Sequence, residues 1–201
     1  LLHFERTLKN SGVELIIGVD EAGRGPLAGP VAAAAVVLAD KRFKCRIDDS
    51  KKLTASARQK AFLEITESSC FGVGIINEQI IDRLNILVCT RLAMENAVLS
   101  LLSKLRDSGT KKIHILIDGN LKLGLDYPST SIIRGDSRSK SIAAASIIAK
   151  VTRDRIMTIY DKIFPGYGFA GHKGYPTKAH RSMLKKIGPS LIHRRSFYGV
   201  L

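Results

Sequence analysis

The sequence predicts an α/β fold: a mixed five-stranded sheet flanked by helices, with a small C-terminal helical subdomain. Three observations predict it. Short apolar runs of strand length alternate with longer stretches at helical spacing. Two of the runs end abruptly in acids, Asp20-Glu21 and Asp118. From residue 165 onward, glycines, aromatics and bases mingle in place of either pattern. This divides the chain into a core over 1–164 and a helical extension over 165–201.

Residues 1–12 hold a short helix on Leu2, Phe4 and Leu8 that covers the sheet. Residues 14–19 form the first strand, and Asp20 and Glu21 stand at its carboxyl end, where open α/β sheets place their sites. Residues 30–38, Pro-Val-Ala-Ala-Ala-Ala-Val-Val-Leu, read as a second strand. The short turn before it implies an antiparallel pair. A polar connection over 40–53 follows, and Thr54 caps a helix to about Ser68. Phe71–Ile76 is a third strand, then comes a short helix from Asn77 to Leu84. Leu87, Met94, Val98, Leu101 and Leu105 recur at helical spacing, so a long helix runs to about Arg106 and Ser108-Gly109 ends it. Residues 111–120 hold a fourth strand and 129–133 a short fifth. An Ala- and Ser-rich helix over 138–162 packs closely on the sheet and stops at Phe164-Pro165. In the extension a helix spans Thr177 to Ile187. Its apolar stripe is Ala179, Met183, Leu184 and Ile187, and its basic stripe is Lys178, Arg181 and Lys185.

Lys and Arg total 32 against 18 Asp and Glu in 201 residues, a net charge of +14. Such a bias favours polyanions, nucleic acid before an anionic membrane surface. Cys45, Cys70 and Cys89 are widely spaced and odd in number, which suits reduced thiols in a cytoplasmic protein rather than a disulfide framework. No stretch is long and apolar enough to cross a bilayer, so no membrane partner is expected. A monomer is expected.

The chemistry is read from four carboxylates: Asp20, Glu21, Asp118 and Asp136. Adjacent acids repel unless a cation lies between them. Asp136 directly precedes a helix whose positive end favours its ionised form. If the first and fourth strands are neighbours, all four acids meet at one sheet edge. Oxygen ligands suit Mg2+ or Mn2+. Two such ions about 3.5–4 Å apart support in-line phosphoryl displacement. Gly23 and Gly25 let the backbone approach something bulky, and Arg24 offers a fork suited to phosphate. The basic residues Lys173, Lys178, Arg181, Lys185, Arg194 and Arg195 form a patch expected to track a duplex backbone. His172, His180 and His193 are expected to face substrate or solvent. The Ser146 hydroxyl is expected to bond the preceding helical turn.

Asp20-Glu-Ala-Gly-Arg-Gly-Pro-Leu-Ala-Gly-Pro-Val31 resembles the first signature of type 2 ribonucleases H, the bacterial ribonuclease HII family. Ile117-Asp118-Gly-Asn120 and Gly135-Asp136-Ser-Arg-Ser-Lys-Ser-Ile-Ala-Ala-Ala-Ser-Ile-Ile-Ala-Lys-Val-Thr-Arg-Asp154 resemble the second and third, in the right order. The resemblance implies a ribonuclease H-like catalytic domain over 1–164 and a substrate-binding extension over 165–201. It implies that Asp20, Glu21, Asp118 and Asp136 hold two divalent metals, Mg2+ or Mn2+. The implied substrates are RNA–DNA hybrid and duplex DNA with an embedded ribonucleotide, cut on the 5′ side to leave a 3′-hydroxyl and a 5′-phosphate. Gly23-Arg24-Gly25 matches the element that senses a 2′-hydroxyl. Tyr175 matches the tyrosine that stacks on the following deoxyribose. Lys51, Lys52, Asn120, Lys173 and Arg194 join the implied substrate-binding set. By residue pattern two rivals stay open: a DNA nuclease on a related scaffold, and a non-catalytic basic nucleic-acid binder.

Overall fold

A computed structural model of the protein describes residues 1–38, 43–105 and 112–200. The expected end of the long helix at Arg106 and Ser108-Gly109 lies outside them. The elements follow the order α1 (His3–Asn10), β1 (Leu15–Ala22), β2 (Val31–Val37), α2 (Ala55–Ser68), β3 (Cys70–Ile76), α3 (Glu78–Leu84), α4 (Ile86–Leu102), β4 (Ile113–Asp118), β5 (Ser129–Ile132), α5 (Lys140–Ile163), α6 (Phe169–His172) and α7 (Lys178–Ile187). The sheet order is β3-β2-β1-β4-β5. The β1–β2 and β2–β3 pairs are antiparallel, and the β1–β4 and β4–β5 pairs are parallel. The first and fourth strands are therefore neighbours, the condition on which convergence of the acids depends.

Side-chain caps start α2, α3, α4, α5 and α7. Thr54, Asn77, Asn85, Ser139 and Thr177 each accept a backbone N–H two or three residues ahead. Asn85 does so with φ +69, and this left-handed residue divides α3 from α4.

Each face of the sheet buries its own cluster. Ile17, Val19, Ala33, Ala35, Ile115 and Ile117 pack under α4. Ala34 and Val36 pack under α5 with its Ala143, Ala144, Ile147 and Ile148. The alanine-rich β2 and α5 reflect close approach of helix backbone to sheet. A Cβ added to Gly18 of β1 would lie 2.2 Å from the Ser141 carbonyl carbon of α5. One added to Gly74 of β3 would lie 2.0 Å from Ala93 O of α4.

The C-terminal extension builds a third cluster on the loop after β1. Leu27 and Ala28 join Met157 of α5 and Tyr167, Phe169, Leu184, Ile192 and Val200. Backbone bonds tie the two together: Leu27 N–H to Gly174 O, Gly29 N–H to Ile192 O, and Arg194 N–H to Leu27 O. The buried side of α7 differs from the expected stripe. It runs through His180 and Leu184, with Met183 half-buried, while Ala179 and Ile187 face outward. Among the described residues no helix is long and apolar enough to cross a membrane.

Candidate active site

Asp20 and Glu21 lie inside β1 rather than past its end. The ladder to β2 continues through Ala22, but the parallel ladder to β4 stops at Val19↔Ile117. The acids therefore begin the three-residue tail of β1, Asp20–Ala22, that continues beyond that ladder. Strand alternation then sorts them. Asp20 shares the α5 face with Gly18, and Asp118 shares it with Leu116, which packs on Ile142 of α5. Glu21 points to the α4 side.

Asp136 sits in a single 3-10 turn, Gly135–Ser137, between β5 and α5. Arg134 enters that turn with φ +56, and the Gly135 N–H donates to Asp118 Oδ1 at 2.6 Å. That bond ties the end of β4 to the start of α5. One carboxylate oxygen from each of Asp20, Asp118 and Asp136 lies within 4.8 Å of the other two. Glu21 is outside this trio and pairs with Arg24 Nη1 at 3.4 Å.

Burial pushes the Asp20 carboxyl well up from its ordinary value, and the neighbouring Glu21 and Asp118 add to the rise. Burial also raises Glu21 and Asp136, with Asp118 adding to both. Carboxylates crowded and desolvated in this way favour protons or cations between them. Three converging oxygens of this kind fit a hard divalent ion. Lys51, 79% exposed, reaches over the trio with its Nζ 3.7 Å from Asp136 Oδ2. Its ammonium pKa is raised: burial opposes the charge, but Asp136, Asp20, Asp49 and Asp118 outweigh it. Ser146 does not bond its own helical turn as expected. Its Oγ lies 2.8 Å from Ser50 Oγ, so it links α5 to the 48–52 loop, and its hydroxyl beside Asp20 opposes the rise of that carboxyl's pKa.

The loop after β1 is held from below by two arginines with no exposed surface. Arg194 donates to the carbonyls of Gly23, Arg24, Pro26 and Gly29 at 2.6–3.0 Å. Arg153 donates to Ala28 O, Pro30 O and Lys173 O at 2.9–3.0 Å. Burial lowers both guanidinium pKa values, to about 10 for Arg153 and about 9 for Arg194, so both stay charged at neutral pH. Gly23 is buried, while Arg24 and Gly25 are exposed. A Cβ added to Gly25 would come 4.0 Å from Tyr175 Cε1, so the loop and Tyr175 adjoin. The Tyr175 ring is 39% exposed and flanked by Lys150 Nζ at 5.6 Å and Arg153 Cζ at 5.8 Å.

Against known families, residues 17–200 match the family model described as Ribonuclease HII. The chain belongs to the ribonuclease HII family. It is 48% identical to the ribonuclease HII of Moorella thermoacetica over 198 residues, 98% of this chain and 93% of that protein. Among solved structures it resembles the ribonuclease H2 of Pyrococcus horikoshii OT3 with a TM-score of 0.73, at 25% identity over 93% of this chain and 95% of that one. Bst-RNase HIII in complex with Mn2+ shares the fold with a TM-score of 0.71, at 19% identity over 92% of this chain and 68% of that one. The chain is thus a ribonuclease H, a hydrolase of phosphodiester bonds, in a divalent-metal-dependent family that acts on RNA–DNA hybrids.

Within this ribonuclease HII fold several expected site residues take other places. Arg194 cannot track a duplex backbone, because its guanidinium is buried and engaged by four loop carbonyls. It organises the glycine loop instead. Lys173 is half-buried with φ +53, and its ammonium donates to Thr158 Oγ1 at 2.9 Å. Lys51, Lys52 and Asn120 are exposed near the acids' loops, as a substrate-facing role requires.

His180 and His193 do not face solvent either, since they are 0% and 2% exposed. Their rings pack against Tyr167 and Phe169 in tilted or edge-on contacts, and His172 stacks on His180. Their bonds set the tautomers. His180 Nδ1–H donates to Tyr175 O, which leaves its Nε2 to accept from His193 Nε2–H at 3.0 Å. His193 Nδ1 then accepts from Ser190 N–H. Both rings are neutral, and burial, reinforced by His180, lowers the His193 pKa to about 4. Because the folded value lies below the unfolded one of about 6.5, the unfolded chain takes up the proton first as pH falls. Stability from this group is complete above pH 6.5 and is lost toward pH 4. In urea denaturation, the wild type should lose roughly 2 kcal/mol more than His193→Gln between pH 7 and pH 4.5.

Proposed function

We propose that the chain, besides hydrolysing RNA in hybrids, nicks duplex DNA 5′ of a single embedded ribonucleotide to leave a 3′-hydroxyl and a 5′-phosphate. One observation carries this reading: the glycine loop and Tyr175 adjoin at the end of the strand that carries Asp20 and Glu21. Asp20, Asp118 and Asp136 would hold divalent cations, with Glu21 completing the set for two. Bound there, Mg2+ or Mn2+ lowers the pKa of an attacking water and stabilises charge on the scissile phosphate. The Mn2+ complex of Bst-RNase HIII on the same fold supports a hard cation.

The protein's own groups supply position and selection. Backbone bared at Gly23 and Gly25 lets the loop approach a ribose, where the 2′-hydroxyl separates RNA from DNA. Tyr175 offers an exposed ring edge beside that loop, suited to the next sugar. Arg24 offers its fork to a phosphate. Lys51, Lys52, Arg181 and Lys185 are exposed cations that give salt-dependent affinity for the duplex. Residues 165–201 act as the substrate-binding extension, and since every named group comes from one chain, a monomer suffices. The three unpaired cysteines suit the reducing cytoplasm.

The test is cleavage of end-labelled duplexes carrying one ribonucleotide, a continuous RNA strand or DNA alone, with EDTA, Mg2+ or Mn2+. The expected result is a single cut 5′ of the ribonucleotide, only with cation, and an intact all-DNA duplex. Cutting of all-DNA duplex would favour the DNA nuclease. Binding without cation-dependent turnover would favour the non-catalytic binder.

A further inference from the structure

We propose that Arg153 is a positioning residue for substrate selection, fixing the distance between the glycine loop and Tyr175 and so setting the preference for a ribonucleotide followed by DNA. The inference rests on the reading of loop and tyrosine given above and extends it to a residue that touches no substrate. Arg153 stands on α5 and is wholly buried. Its Nε and Nη2 donate to Pro30 O and Ala28 O of the loop segment, and its Nη1 donates to Lys173 O, two residues before Tyr175. The same side chain lies under the loop glycines. A Cβ on Gly23 would fall 2.2 Å from its Nε, and one on Gly29 would fall 3.5 Å from its Nη2. Its guanidinium also sits 5.8 Å from the Tyr175 ring.

One planar group thus spans both halves of the sensing surface. The loop carbonyls need donors in any case, but that need does not by itself require donors held at fixed angles to one another. What the fork gives and a lysine cannot is three donors in fixed directions. It joins two carbonyls of one loop, Ala28 O and Pro30 O, to one from a segment far along the chain, Lys173 O, so the spacing of the two segments is set by the rigid fork. Beside it, Gly174 (φ +82) abuts the loop so closely that a Cβ would lie 2.5 Å from Ala28 O. Loosening this seam shifts Tyr175 relative to the loop while leaving the carboxylate trio, built on β1, β4 and the 3-10 turn, in place. A continuous RNA strand presents no deoxyribose to Tyr175 and does not use that spacing.

Arg153→Lys and Gly174→Ala are compared with the wild type for kcat and KM on the single-ribonucleotide duplex and on a continuous hybrid. The expected result is a fall in kcat of at least tenfold on the single-ribonucleotide duplex and of less than threefold on the hybrid, with both KM values within about twofold. A merely structural role lowers both rates by one factor, through the folded fraction. Equal falls, or no fall on either substrate, would overturn the proposal. If Arg153→Lys does not fold, Gly174→Ala decides, since it opens the same seam with Arg153 intact. A wild type that leaves the single-ribonucleotide duplex uncut ends the underlying reading as well. A wild type that nicks it, with variants that scale both rates equally, ends this inference alone.

Discussion

Asp118→Asn should abolish cleavage while leaving the fold intact. The amide keeps a carbonyl oxygen where Asp118 Oδ1 now accepts the Gly135 N–H at 2.6 Å, so the tie between β4 and the turn carrying Asp136 survives. What is lost is one negative charge from a trio whose oxygens lie within 4.8 Å of one another. Asp118 helps to raise Asp20, Glu21 and Asp136, so removing its charge relieves repulsion in metal-free protein. The expected signature has three parts. Turnover falls by about 10³ or more, roughly 4 kcal/mol of transition-state stabilisation. Duplex binding in EDTA is unchanged. The melting temperature in EDTA rises, and the further rise that Mg2+ gives the wild type by binding the native state shrinks. Full activity in the variant would remove the carboxylates from the chemistry.

Gly18→Ala should be among the most destabilising single methyl additions in the protein. Gly18 pairs with Val36 on one side and Leu116 on the other, so it cannot slide within the sheet. Its added Cβ would fall 2.2–2.5 Å from Ser141 C, Ser141 O and Ile142 N, which are helix backbone and cannot rotate away. Overpacking in a core costs about 1–3 kcal/mol. A clash with backbone belongs at or above the top of that range, about 3 kcal/mol, which lowers the melting temperature by roughly 6–12 °C in a chain of this size. Gly171→Ala, with nothing within 4 Å of the added carbon, is the control and should melt near the wild type. Thermal unfolding followed by circular dichroism checks both. Activity of Gly18→Ala below its melting point should also fall, because α5 carries the turn that holds Asp136 at a set distance from Asp20.

Much of this was legible in the chain. Apolar runs ending in acids marked β1 and β4, and Thr54 marked the start of α2, because those signals are local. The parity that separates Glu21 from Asp20 was also implicit in two consecutive strand residues, but only once β1 was known to run on through Ala22. The arginines and histidines of the extension were not legible. Arg194 and His193 stand in His-Arg-Arg-Ser, a polar stretch that reads as surface, and Arg153 stands among charged neighbours on a helix. Their burial is decided by carbonyls and rings that arrive from Gly23 to Pro30 and from Tyr167 to Tyr175. The available hint was the loop itself: its Gly- and Pro-rich carbonyls are exposed to one another without a ladder, and they call for a donor with several N–H groups.

The tail of β1 beyond its ladder to β4 has a consequence for the direction of approach. With Asp20 on one face of the sheet and Glu21 on the other, a ligand that engages both must straddle the strand tip and cannot lie flat on either face. If both carboxylates serve the site as proposed, a duplex arrives along the strand axis, like a rod laid across the ends of a row of pegs. The flat sides of the sheet are already filled by α4 and α5.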